Sequence, residues 1–219
     1  MQDALIVAGF RTAVAKSKKG GFRFFRPDDL AVEVIKGIMA TIPQLDYKRI
    51  DDVIVGNAVP EAEQGLQFGR IIAAKALGIE VPGITINRYC ASGLEAIAMA
   101  TAKIRTGMAD CIIAGGTESM SLVPTAGWKT VPSYAIAKDE PDFYLSMGLT
   151  AEAVSKEFNI NRADQDEFAY HSHRKAAIAI QEGYFKSGIL PINVEETYLN
   201  EKGKKIFNEK KKIYLFFIF

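Results

Sequence analysis

Cysteine is nearly absent from this chain. Only Cys90 and Cys111 occur in 219 residues, too few for a disulfide framework. Charge of one sign is missing too. The net charge is +1, which gives no global attraction to nucleic acid or to an anionic membrane. No apolar run reaches the roughly 18 residues that a membrane span needs. The opening "MQDALIVAGF" has no basic region of the kind that starts a secretory signal. These absences predict a reducing, cytoplasmic-type compartment. Histidine is scarce as well. His171 and His173 are two residues apart on a helix-like segment, so both cannot face one way. Solvated helix histidines are favoured over a metal pair, and no metal site is expected. What is present is ordinary for a globular protein with a sizeable core, with 48% hydrophobic and 24% charged residues.

The first part of the chain alternates strand-like and helix-like segments. "ALIVAGF" (4–10), "DDVIVGNAV" (51–59), "PGITIN" (82–87) and "DCIIAGGTESM" (110–120) read as strands, the last breaking at Gly115–Gly116. "RPDDLAVEVIKGIMATI" (26–42) reads as a helix capped by Asp28 or Asp29, with Leu30, Val34, Ile35 and Ile38 on one face. "LQFGRIIAAKALG" (66–78) reads as another, with Gly78 as its C-cap. The alternation predicts an α/β sheet covered by helices. From about residue 121 the pattern becomes irregular and proline-interrupted. Two helices follow at 148–159 and 162–185, the second capped by Asn161, with Asp164, Asp166 and Glu167 in its early turns. "ILPINV" (189–194) reads as a strand.

Cys90 stands between a strand and a helix. From Ala91 to Ala102 nearly every residue is small or apolar, which marks a buried helix. The thiol therefore lies where that helix meets the C-terminal end of a strand, the edge at which open α/β sheets bind ligands. Unpaired N–H groups and the helix dipole stabilise an anion there, which favours a nucleophilic thiolate. Cysteine is also among the most buried residue types, so position alone leaves Cys90 open between filler and nucleophile. Cys111 sits inside a strand-like run and reads as a packing residue.

"NRYCASGLEAIAMA" followed by "ADCIIAGGTESMS" resembles the N-terminal half of the thiolases. Further matches run in order through "FRTAVAK", "RPDDLA", "EQGLQFGR", "VPGITINR", "MGLTAE" and "DQDEFAYHSH", so the resemblance spans roughly residues 3 to 199. It implies an α/β, thiolase-like fold: the N-terminal βαβαβαββ half (1–120) of an αβαβα sandwich, plus part of the loop domain that covers coenzyme A (121–199). It implies acyl transfer through an acyl-thioester on Cys90. A 3-ketoacyl-CoA is cleaved to acetyl-CoA and a shortened acyl-CoA, as in fatty acid β-oxidation. Coenzyme A is a substrate, and no cofactor is permanently bound. By the same resemblance Met147 lies near the pantetheine, with Ser146 where many short-chain members carry a histidine. "EAEQGL" looks most like the degradative 3-ketoacyl-CoA branch, with an acetoacetyl-CoA-forming acetyltransferase as the alternative. "GLQFGR" falls near the family's dimer interface, where Arg70 reads as structural. The family's homo-oligomers, dimers or tetramers, are the implied assembly, with no nucleic acid and no membrane span. A ketoacyl synthase, which acts on carrier-protein substrates, shares the fold, but "GGTESMS" and "MGLTAE" argue against it.

Thiolases also draw on a His in a Gly-His-Pro stretch, a Cys in a Cys-x-Gly stretch and an Asn in an Asn-Glu-type stretch of their C-terminal half. The Gly-His-Pro and Cys-x-Gly stretches do not occur here. Residues 200–219, "NEKGKKIFNEKKKIYLFFIF", mix Lys, Asn, Ile and Phe without pattern, residue types that A/T-rich codons encode. The expectation is an aberrant tail from a frameshift or premature stop, and a C-terminally truncated chain with negligible turnover. A second expectation is a non-catalytic fragment that associates with a full-length thiolase. The loop "KSKKGG" (16–21) reads as a solvated basic loop rather than a phosphate site.

Overall fold

The computed structural model describes residues 2–199, 201 and 205–213. It divides into two units, residues 1–128 with 188–219 and residues 129–187.

The first unit is built on β1 (Asp52–Gly56), with β2 (Gly83–Ile86) and β3 (Ile112–Gly116) parallel to it in the order β2-β1-β3. β1 is buried along its whole length, as the compact run "DVIVG" requires of a central strand. Its side chains alternate between two cores. Val53 and Val55 meet Val32, Ile35 and Met39 of α1 (Pro27–Thr41) and Phe68, Ile72 and Ala73 of α2 (Phe68–Leu77). Ile54 points the other way, onto Ala96 and Ala100 of α3 (Ser92–Arg105). The period of two along the strand thus produces a helix–sheet–helix sandwich. The small face of α3 lets that helix lie close on the sheet. Lys103 at its far end reaches Asp52 at 2.5 Å.

Expected and observed elements agree at α2, which ends at Gly78 with φ +110, and at β3, which ends on the Gly115–Gly116 pair. The helix expected to be buried, α3, is buried only along Ser92, Ala96 and Ala100, with Leu94 and Ile97 exposed, because it has the sheet on one side only. Two further expectations fail. Residues 4–10 join no ladder, and Leu5, Ile6 and Val7 are exposed. A β-rich run becomes a strand only by pairing, and here pairing begins one residue later, where Arg11 and Ile189 form an isolated bridge. A cavity of about 220 Å³ lies between residues 8–12, α1 and the β1–β3 sheet. The second failure concerns the start of α1. Neither Asp28 nor Asp29 is the cap. Pro27, whose fixed φ suits the first helical position, starts the helix with Arg26 as N-cap.

Asp28 consequently falls inside the first turn, its side chain 2% exposed, where it accepts from Arg26 Nε at 2.9 Å and Lys75 Nζ at 2.7 Å. Burial pushes its carboxyl up, but the Lys75 and Arg26 hydrogen bonds and charges outweigh that and hold it below the usual aspartate range. A depressed carboxyl contributes stability that is present above the unfolded value near 3.8 and is lost as pH falls through the folded one. Asp28→Asn should therefore cost about 2 kcal/mol at neutral pH, below the usual loss for a broken buried pair because Lys75 keeps Asp29. It should also flatten the fall in stability below pH 4. Urea melts at a series of pH values check both effects, with Asp29→Asn as the half-exposed control.

After the second unit the chain returns as β4 (Ile192–Leu199), which pairs antiparallel with β5 (Lys205–Ile213). Ile192 and Val194 are buried against Ala13, Phe22 and Leu30. The sequence predicts no strand at β5. A run of lysines hides it, and the β4 edge supplies the pairing. "YLFFIF" (214–219) lies outside the described residues.

The second unit is helical: α4 (Tyr134–Asp139), α5 (Met147–Glu157) and α6 (Arg162–Gln181). Asn161 caps α6 as expected, in a reciprocal capping box with Asp164. None of the three helices buries a residue. None of the described helices is long and apolar enough to cross a membrane.

Candidate functional site

The C-terminal ends of β1, β2 and β3 lie side by side, and the turn carrying Cys90 leaves from one of them. Residues 87–91 join β2 to α3 in a tight turn. Tyr89 adopts φ +45, a left-handed conformation that is strained for a bulky side chain. Local hydrogen bonds hold it there. Ser92 Oγ donates to the Tyr89 carbonyl at 2.6 Å and accepts from Arg88 N at 2.8 Å, while Asn87 Oδ1 accepts from Tyr89 N at 2.8 Å. Ala91 is the N-cap of α3, so Cys90 lies just ahead of the helix, and it is exposed. The sequence places a thiol at the junction of strand and helix, and the structure has it there.

Beneath this turn a polar network ties the strand ends together. Asn87 Nδ2 donates to the Ala58 carbonyl at 2.9 Å, and Ala58 N donates to Glu118 Oε2 at 2.7 Å. Glu118 Oε1 accepts from Gln64 Nε2 at 2.5 Å. Gln64 is fully buried, donates also to the Val59 carbonyl, and accepts from Ser119 N at 2.6 Å. Asn57, also buried, donates to the Thr117 carbonyl at 3.0 Å. The residues after β1 are thereby bonded to those after β2 and β3. Gln64 and Glu118 stand in the quoted "EQGLQFGR" and "GGTESM" stretches, but neither carries a role in the sequence reading. The signal was polar residues inside otherwise apolar or glycine-rich blocks.

The other candidate residues fall into place separately. Cys111 is half-buried against the α1–α2 core. Burial and the neighbouring Asp51 charge push its thiol up, with Arg49 opposing. Asp51 itself is held low because the amides of Asp110 and Cys111 donate to it, which fastens the entry of β3 to that of β1. Arg70 donates to the carbonyls of Val81 and Ile79, fixing the turn between α2 and β2, a structural part as expected. The loop 16–21 is bound at Ser17 and Lys18 to Met120 and Ser121. In the second unit, Met147 opens α5 and is exposed, and Ser146 caps that helix by accepting from Leu149 N. His171 and His173 are exposed on α6, and His171 Nε2 lies 3.7 Å from Glu167.

A parallel sheet covered on both faces, with an exposed cysteine at the head of a helix on its C-terminal edge, defines an α/β protein with a thiol at the edge where open sheets of this class bind ligands. The particular family follows from comparison. Residues 4–215 match the model of the thiolase N-terminal domain, and the chain belongs to that family. It is 49% identical to the 3-ketoacyl-CoA thiolase of Bacillus subtilis (strain 168) over 205 residues, covering 93% of this chain and 52% of that protein. Similarity extends to the peroxisomal 3-ketoacyl-CoA thiolase 5 of Arabidopsis thaliana, 39% identical over 87% of this chain and 42% of that one. A beta-ketoadipyl-CoA thiolase of Acinetobacter baylyi is 37% identical over 90% of this chain and 53% of its own length. The chain thus spans about half the length of these relatives.

Proposed function

We propose that this chain carries the nucleophile of a thiolase-type acyl transfer, with a 3-ketoacyl-CoA as donor and coenzyme A as acceptor. The Cys90 thiolate attacks the 3-keto carbon. The bond between carbons 2 and 3 breaks, its electron pair leaves with the acetyl-CoA fragment, and that carbanion takes up a proton. The acyl group remains as a thioester on Cys90 until the sulfur of a second CoA displaces it. The observation that carries this reading is the exposed Cys90 at the head of α3. Residues 1–120 supply the nucleophile in this scheme. Residues 121–199 cover the CoA, with Met147 against the pantetheine. The working assembly is a homo-oligomer, dimer or tetramer, in the cytoplasm or, in a eukaryote, the mitochondrial matrix or peroxisome.

Acid–base partners of the kind the family resemblance implies are not among these 219 residues. Single acyl transfer is therefore expected where multiple turnover is not. Incubation with acetyl-CoA should leave one acetyl group on the peptide containing Cys90, located by mass spectrometry, with release of free CoA. An adduct elsewhere, or none, overturns the reading. A second reading is favoured by the apolar residues that α3 leaves exposed, Leu94 at 71% and Ile97 at 45%. In it the chain associates with a full-length thiolase, and co-purification of the two separates this from solitary behaviour.

A further inference from the structure

The Cys90 turn is strained at Tyr89, and something must over-determine it. Its own hydrogen bonds fix the turn internally but not its place above the sheet. Beside the packing of the first turn of α3 on Gly56, one side-chain link sets that place: Asn87, whose side chain bonds the Tyr89 amide with its oxygen and the Ala58 carbonyl with its nitrogen. Ala58 is in turn held through its N–H by Glu118. We propose that Glu118 is a positioning residue for Cys90, acting through the sequence Gln64, Glu118, Ala58, Asn87, Tyr89. The proposal rests on Cys90 being the acyl acceptor.

The chemistry of each member suits the task. Glu118 must accept at both oxygens, because Gln64 Nε2 and Ala58 N both donate to it. Only a carboxylate offers two acceptors in that geometry; a glutamine would set an N–H against one of the two donors. Gln64 cannot turn to relieve that conflict. Its nitrogen also donates to Val59, and its oxygen already accepts from Ser119 N. Burial makes this amide a rigid anchor, since every polar atom of it is satisfied where it stands. Glu118 itself is exposed, so the anchor lies beneath and the adjustable link above. Asn87 closes the sequence by using both ends of its amide, which an aspartate, lacking the donor, cannot do. A displaced nucleophile loses rate steeply when the reaction requires alignment, and hardly at all when a small reagent can approach from any side.

The test compares the unchanged chain with Glu118→Gln, Glu118→Ala and Asn87→Asp in three measurements. These are acetyl transfer from acetyl-CoA to Cys90, alkylation of Cys90 by iodoacetamide across pH, and hydrogen exchange at the Tyr89 and Ser92 amides. Positioning predicts acetyl transfer slowed about tenfold or more in all three variants. It predicts an alkylation–pH profile within about twofold of the unchanged chain and faster exchange in the 87–92 turn, with melting temperatures preserved. Unchanged acetyl transfer together with unchanged exchange in Glu118→Gln overturns the proposal. So does a parallel loss of acetyl transfer, alkylation and melting temperature, which marks general unfolding. If the unchanged chain takes no acetyl group, the acyl-acceptor reading fails by itself. The exchange data then still decide whether Glu118 orders the turn.

Discussion

Cys90→Ser is expected to remove acyl transfer altogether within the sensitivity of mass spectrometry, while Cys111→Ser leaves it intact. The sulfur of a thiolate is intrinsically nucleophilic, and a thiol ionises near neutral pH. A serine hydroxyl in the same place needs an adjacent base before it can attack. The side chains bonded to the Cys90 turn are the Asn87 amide, the Ser92 hydroxyl and Glu95, and the Glu95 carboxylate is held at both oxygens by the Arg88 guanidinium, so none of them is such a base for residue 90. The loss should be on the order of 10³-fold, the usual contribution of general base catalysis. Cys111 supplies the internal comparison. It is half-buried, and burial followed by the Asp51 charge pushes its thiol up, so it remains protonated and shielded. Iodoacetamide should label Cys90 well before Cys111, and time-resolved peptide mapping reads the order. Labelling in the reverse order, or acylation that survives Cys90→Ser, would sink the assignment.

The three parallel strands were legible in the sequence because each is a compact run carrying Ile or Val between turn signals, fully buried in β1 and mostly half-buried in its two neighbours. The place of Cys90 was legible for the same reason: a strand end followed by a small-residue helix fixes where the intervening residue must lie. The network beneath it was not. Gln64 and Glu118 are 54 residues apart, and no periodicity relates them. Residues 4–10 show the converse failure, since strand composition predicts a strand only where an edge is within reach. Asp28 misled because an aspartate before a helical run is also what a cap looks like, and Pro27 moved the start of the helix past it. Local chemistry was read correctly at Gly78 and Asn161 and misread at Asp28, where the neighbouring proline decides. What no local signal carries is the distant partner, as Lys75 is for Asp28.

Gly56 joins fold and site most directly, and Gly56→Ala is the substitution expected to damage both. The residue ends β1, and its backbone lies against the first turn of α3. A Cβ there would stand 2.5 Å from the Ser92 carbonyl carbon, 2.6 Å from its oxygen and 2.8 Å from Gly93 N. These are backbone atoms, so no side chain can rotate away, and either the helix or the strand must shift. Neither has room. β1 is bonded on both sides, Val55 buries into one core, and Ile54 packs on Ala96 and Ala100 in the other. Overpacking of this kind costs about 3 kcal/mol. Ser92 is also the residue whose hydroxyl holds the Tyr89 carbonyl, so moving the first turn of α3 carries the Cys90 turn with it. Gly56→Ala should therefore lower the melting temperature and slow acetylation of Cys90 at temperatures where the protein is still folded. Gly93→Ala is the control. It lies in the same helical turn, yet a Cβ there meets nothing within 4 Å, so it should leave acetylation unchanged. Equal behaviour of the two variants would show that the close approach of α3 to β1 does not set the position of Cys90.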